Sequence, residues 1–240
     1  MRIIPFCYFL ITRKNIYFCN FIINYFINFI YLRHLYKYIL YFYYIIMNIV
    51  VAACKNNGIG INNKLPWRLM KDLKYFRFLT QSYGENAIVM GKNTCLSLPR
   101  ALPKRINYVL STSLDKPQTQ EEIFLKNGGY GDFRIIKDIN DISTQKYDNV
   151  WLIGGAQVYE NLINNDMINS IYYTNIDAEF ECDTFFPEIP AQFKKEFESK
   201  SFIEDEINFN MEIYVKKGLE SIDYVNQGVT AMHYAELTLG

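Results

Sequence analysis

Four apolar runs, each too short for a helix and each closed by a polar or glycine-rich turn, constrain this chain most. They are Asn48-Ile49-Val50-Val51-Ala52-Ala53-Cys54, Ala87-Ile88-Val89-Met90, Ile106-Asn107-Tyr108-Val109-Leu110 and Val150-Trp151-Leu152-Ile153. Runs of this length read as buried strands. Helical patterns separate them: Arg68 to Gln81, a second opening at Gly91-Lys92-Asn93-Thr94 and ending before Pro99, and a third over Ala156 to Ile163. Phe133 to Ile136 and Ser170 to Ile176 add strands, Asp138 to Thr144 a weak helix, and Glu196–Phe202 with Asn208–Val215 a closing hairpin. Alternating strands and helices predict an α/β single domain. Its centre is a mostly parallel, twisted, eight-stranded sheet with an antiparallel C-terminal edge strand and helices on both faces.

Asp72 is out of place in that pattern. Leu69, Leu73, Phe76 and Leu79 recur at helical spacing, and Asp72 shares their face. A carboxylate among core-facing side chains is costly unless something pairs with it. Asp72 therefore has a partner in the protein or receives a ligand.

The charge distribution divides the chain at Met47. Of 25 basic and 25 acidic residues, Arg2, Arg13, Lys14, Arg33 and Lys37 precede it and no acid does, so the remainder carries a net charge of −5. That balance argues against a nucleic-acid partner, which calls for a basic footprint. The five cysteines include no C-x-x-C pair and the histidines are only His34 and His233, so a metal site is not expected. The cysteine spacing reads as reduced thiols rather than a disulfide framework.

Residues 1–46 form an apolar extension. Ile16 to Leu32 is uncharged but interrupted by Asn20, Asn24 and Asn28, and its length sits at the lower limit for a membrane span. A membrane anchor and an organelle-targeting segment are two readings. The third, which we favour, is upstream A/T-rich sequence ahead of a true start at Met47. Residues 47–217 are then one domain, 218–240 a tail, and the location cytoplasmic, or membrane-associated or organellar if the extension is genuine. Asp115 to Asp132 reads as a surface insertion.

Two strand ends carry glycine turns that open helices. Met90-Gly91-Lys92-Asn93-Thr94 combines free helix N–H groups with a lysine and a hydroxyl; Ile153-Gly154-Gly155-Ala156 permits close backbone approach. Each alone is compatible with an ordinary strand–helix turn. Together they mark the carboxyl ends of strands, where open α/β sheets bind ligands. Arg105, after Leu102-Pro103-Lys104, is either a solvated surface residue or a carboxylate clamp.

From Asn48 to about Lys217 the chain resembles dihydrofolate reductase. The motifs are Val51-Ala52-Ala53, Gly58-Ile59-Gly60, Leu65-Pro66-Trp67, Asp72-Leu73-Lys74-Tyr75-Phe76, Met90-Gly91-Lys92-Asn93-Thr94, Leu102-Pro103-Lys104-Arg105, Ile153-Gly154-Gly155-Ala156 and Asp183-Thr184-Phe185-Phe186-Pro187, in family order. The resemblance implies NADPH-dependent reduction of 7,8-dihydrofolate to tetrahydrofolate, in support of one-carbon metabolism and thymidylate synthesis, and binding of antifolate-like molecules. It implies that Asp72 grips the pterin and that Thr174 hydrogen-bonds this acid. It places Phe76 on the pterin, Leu73, Leu98 and Leu102 around the aminobenzoyl ring, and Arg105 on the glutamate carboxylate. Val51 and Ile153 would offer carbonyls. Trp67 would hold a water, and Leu65 would lie in a mobile loop, Asn57 to Trp67, that closes over the nicotinamide. Ala53, Ile59 and Tyr159 would line the nicotinamide site; Gly155, Ala156 and Thr94 would hold the diphosphate; Lys92, Ser111 and Thr112 would take the 2′-phosphate; Gly91, Asn93, Gly154, Gln157 and Val158 would also touch the cofactor. Gln157 stands where an arginine often serves the adenosine end, and Cys95 where a bulkier residue is common. The rivals are a related pyrimidine reductase, a non-catalytic or membrane-tethered nucleotide binder, and half of a fusion with thymidylate synthase.

Overall fold

The computed structural model describes residues 47–82, 84–115, 133–142 and 147–218, together with residue 230. In chain order its elements are β1 (Met47–Cys54), β2 (Gly58–Gly60), α1 (Met70–Thr80), β3 (Asn86–Gly91), α2 (Lys92–Ser97), β4 (Ile106–Leu110), β5 (Phe133–Ile136), β6 (Asn149–Leu152), α3 (Ala156–Leu162), β7 (Ile168–Ile176), β8 (Thr184–Phe185), β9 (Phe193–Glu198), β10 (Phe202–Glu204) and β11 (Ile207–Lys216).

The main sheet runs β5-β4-β3-β6-β1-β7-β11-β10. Its pairs from β5 to β7 are parallel, and β11 turns antiparallel against β7. Nine strands fill eight positions, because β9 and β10 pair with different stretches of the same edge of β11. β1 lies at the centre and alternates its side chains between two cores. Val50 and Cys54 face Tyr75, Leu79 and Cys95 of α1 and α2. Ile49, Val51 and Ala53 face Val158, Tyr159 and Leu162 of α3. Both faces of the sheet are therefore covered, as the alternation predicts.

Several elements differ from the sequence expectation, each for a local reason. The polar loop Lys55 to Lys64 contains β2, which pairs antiparallel with β8, Gly58 opposite Phe185 and Gly60 opposite Thr184. Gly-Ile-Gly carries no apolar alternation, so periodicity could not show it. The helix expected over Asp138 to Thr144 is only a 3-10 turn, Ile139–Asp141, closed at its start by reciprocal bonds between Asp138 and Asp141. Glu196–Phe202 is not one strand: β9 ends at Glu198 and β10 begins at Phe202. β9 is an edge strand whose exposed Lys194 and Lys195 mask its pattern. The β10–β11 hairpin turns on Asp205 and Glu206, with φ of 48° and 62°, the left-handed pair that a two-residue hairpin turn requires. The reading of residues 1–46, that of the insertion Asp115 to Asp132 apart from residue 115, and that of the tail 218–240 apart from residues 218 and 230 lie outside the described residues. Among the described residues no helix is long and apolar enough to cross a membrane.

Candidate active site

A cleft of ≈ 1810 Å³ opens at the carboxyl ends of β1, β3, β4 and β6. That is larger than the roughly 300–1,000 Å³ usual for one small ligand, and its two ends have different chemistry.

At one end, α1 carries Asp72 in its first turn, 8 % exposed. Asp72 Oδ1 accepts a 2.7 Å hydrogen bond from Thr174 Oγ1, on β7 beside Ala52. Among the described residues no lysine or arginine pairs with this carboxylate. Burial raises its pKa to about 6; the Thr174 bond pulls it down and the charge of Glu204 adds to the rise. Asp72 therefore has a protein partner on one oxygen, one of the two outcomes that its place on the helix left open.

Glu204 of β10 also fixes where α1 begins. Its carboxylate accepts from Met70 N at 2.6 Å and Lys71 N at 3.0 Å. These are orphan donors of the first helical turn. Leu69, at the cap position, has no side chain to satisfy them, so α1 starts at Met70 rather than Arg68. The absence of a Ser, Thr, Asp or Asn cap was the one sequence signal that a distant group would be needed.

Phe76, Leu73, Leu98 and Leu102 line the same end, with Leu73 40 % exposed. Beyond them Arg105 is held in place: its Nε donates to Pro103 O at 3.1 Å and Nη1 donates to Thr80 Oγ1. Its guanidinium lies 5.8 Å from the Phe76 ring centroid. Burial, then the neighbouring charge of Arg77, lowers Arg105 to about 10, which leaves it cationic at neutral pH. Arg77, which sequence reasoning missed, also lines the cleft.

On β1 the strand register separates Ala52 from Ala53. Ala53 is fully buried against the α3 face, whereas Ala52 lines the cleft. One step along a strand moves a side chain to the opposite face. Val51 borders the cleft, and so does Val50, whose carbonyl accepts from Tyr159 Oη at 2.8 Å. Burial pushes the Tyr159 phenol up, so it acts as a hydrogen-bond donor that positions β1. Ile59 and Ile153 line the cleft as expected. Trp67 is buried and is not among the residues lining the cleft; its ring lies 5.3 Å from that of Phe180, and its buried Nε1 has no acceptor among the described residues.

At the other end the two glycine turns meet. Gly91 N donates to Gly154 O at 2.7 Å. Gly154 has φ +101°, and a Cβ there would lie 2.9 Å from the Tyr159 ring. A Cβ on Gly155 would stand 3.3 Å from Thr94 Oγ1, a tight contact that the hydroxyl would have to yield to. Gly155, Ala156, Gln157 and Val158 line the cleft with Lys92, Asn93 and Thr94. Ser111 and Thr112 line it too, beside Lys137, which follows β5 where Ser111 N bonds Ile136 O at 2.9 Å. Lys137 was not foreseen; its signal was a lysine directly after a strand end.

The loop Asn57 to Trp67 borders the cleft and is fastened to the segment around β8. Asn62 N donates to Asp183 Oδ2 at 2.8 Å, Asp183 N to Gly60 O at 3.0 Å, and Phe186 N to Asn57 O at 2.8 Å. Leu65, 51 % exposed, borders the cleft from this loop.

The family model described as dihydrofolate reductase matches residues 46–216. This chain belongs to the dihydrofolate reductase family. It is an oxidoreductase. The dihydrofolate reductase of Drosophila melanogaster is 37% identical over 155 residues, 62% of this chain and 82% of that protein. The Rattus norvegicus dihydrofolate reductase is 37% identical over 185 residues, 71% of this chain and 97% of that protein. A bifunctional dihydrofolate reductase-thymidylate synthase of Daucus carota is 32% identical over 182 residues, 70% of this chain and 33% of that protein. The match to this reductase family coincides with the sheet and cleft just described, and it leaves residues 1–45 unmatched.

Proposed function

We propose that the chain reduces 7,8-dihydrofolate to tetrahydrofolate with NADPH, the pterin lying against Asp72 and the cofactor along the two glycine turns. The observation that carries this reading is a buried carboxylate with one oxygen bonded to Thr174 and, among the described residues, no cation paired with it. A carboxylate so placed offers two acceptors to the paired N–H groups of an aminopyrimidine edge. NADPH, when bound, supplies the hydride that pterin C6 accepts.

The protein's own work is placement and proton supply. The Val50 and Ile153 carbonyls face the polar edge of the pterin, and Phe76 its flat face. Arg105, still charged, takes the glutamate carboxylate. Holding two flat rings in register removes freedom that would otherwise be lost at the transition state, worth about 7–11 kcal/mol in well-oriented reactions. The ionised Asp72 raises the proton affinity of N5. A water held at the Trp67 indole N–H delivers that proton, since Asp72 grips the far edge of the ring. The fastened loop excludes bulk water and strengthens the field of Asp72.

On the cofactor side, the α2 and α3 N-termini and Thr94 fit a diphosphate. Lys92 and Lys137, with Ser111 and Thr112, fit a further phosphate and so favour NADPH over NADH. A spectrophotometric assay of NADPH oxidation tests the whole reading. Oxidation that depends on added dihydrofolate and disappears in Asp72→Asn supports it; NADPH binding without turnover rejects it in favour of a nucleotide-binding role.

A further inference from the structure

Cys54 ends β1 and Cys182 lies just before β8, and the fold brings their sulfurs to 3.9 Å. No spacing in the sequence joins them. Cys54 is fixed in the central sheet and buried, whereas Cys182 is partly exposed. Cys54 Sγ donates to Asn56 Oδ1 at 2.9 Å, and the same oxygen accepts from Gly58 N at 3.2 Å. Cys182 Sγ packs so closely on Gly58 that it leaves no room for a Cβ there. The two thiols therefore sit at the root of the loop that borders the cleft.

We infer that Cys54 and Cys182 form a modification site, a reversible internal disulfide that acts on the cleft-bordering loop. The oxidant is a low-molecular-weight disulfide. Cys182, the accessible partner, attacks it as the thiolate and releases one small thiol; Cys54 then displaces the second. One S–S bond forms in the protein and one breaks in the oxidant, which takes two electrons and leaves with both protons as two thiols. Burial, and then the contact with Cys54, raise the Cys182 thiol above its ordinary range, so the thiolate fraction is small and the attack is faster at higher pH.

A disulfide requires the sulfurs to close to about 2.05 Å. β1 is held between β6 and β7, so the displacement falls on Cys182 and its neighbour Asp183. Asp183 is the residue that fastens the loop, through Asn62 N and Gly60 O. Oxidation therefore shifts the clamp and slows turnover.

The test uses the full chain treated with oxidised glutathione. It is read by non-reducing peptide mapping, by limited proteolysis within residues 57–67, and by dihydrofolate-dependent NADPH oxidation. We expect a Cys54–Cys182 linked peptide, an altered cleavage rate in the loop and a turnover loss of about fivefold or more, the lower end of ordinary coupling between sites. Dithiothreitol reverses all three. Cys182→Ser and Cys54→Ser each keep their activity under oxidant. A map showing only glutathione adducts, a link that leaves cleavage and turnover unchanged, or an equal activity loss in Cys182→Ser overturns the inference. Mapping and proteolysis need no turnover, so a failed reductase reading is distinguishable from a failed disulfide.

Discussion

The Asp72 end of the cleft is assembled from side chains far apart in sequence, whereas the opposite end is made of backbone at two glycine turns. Asp72 depends on Thr174 and Glu204; Gly91 and Gly154 bond each other directly. One end sets a buried carboxylate, Asp72, in an apolar wall with the Arg105 guanidinium beyond it. The other spreads many weak donors over helix starts, with lysines at its rim. Loss of one group should therefore be severe at the first end and graded at the second.

Replacing Asp72 should show the first extreme. Asp72→Asn should lower dihydrofolate turnover at pH 7 by about 10²–10⁴-fold, the range for a positioned acid–base group, while NADPH affinity stays nearly constant. The same variant should be more stable. A folded pKa of about 6 against an ordinary 3.8 means that the unfolded chain ionises first, so stability falls as pH rises from about 4 to about 6. By neutral pH this costs roughly 2–3 kcal/mol, which Asn does not incur. Denaturant melts at pH 4 and pH 7 check the sign: the two proteins converge at the lower pH.

Arg105→Leu should come next, raising KM for dihydrofolate about 30-fold, since truncating one side of a bonded charge pair costs about 2 kcal/mol or more. A substrate analogue without the glutamate carboxylates should not distinguish the two proteins. At the cofactor end, Gly154→Ala meets the Tyr159 ring at positive φ and should cost about 1–3 kcal/mol, read as a lower melting temperature with weaker NADPH binding. The smallest effect belongs to the rim. Lys92→Ala should weaken NADPH about fivefold, as exposed ion pairs contribute up to about 1 kcal/mol, and leave NADH unchanged. Equal losses for both nucleotides would erase the proposed division between the ends.

The same division governs what the sequence made legible. β1, β3, β4 and β6 were visible because central parallel strands are apolar on both faces. The glycine turns were visible because strand, turn and helix are contiguous. Asp72 stood out because helical spacing placed a charge on an apolar face. Glu204 was hidden because it caps a helix 130-odd residues earlier in the chain. Ala52 was confused with Ala53 because the strand is apolar on both faces, so its pattern does not say which side meets the ligand. β2 and β8 were missed because strands of three and two residues are too short to show a period, and Lys137 because its nearness to Ser111 arises only when β5 docks on β4.

The most direct test is the ionisation of Asp72 itself, followed by difference infrared spectroscopy of wild type against Asp72→Asn across pH, with and without dihydrofolate. The account predicts a carboxyl that titrates near 6 in the free protein and remains ionised to lower pH once the pterin is bound. A carboxyl titrating at its ordinary value, or one indifferent to dihydrofolate, would contradict it.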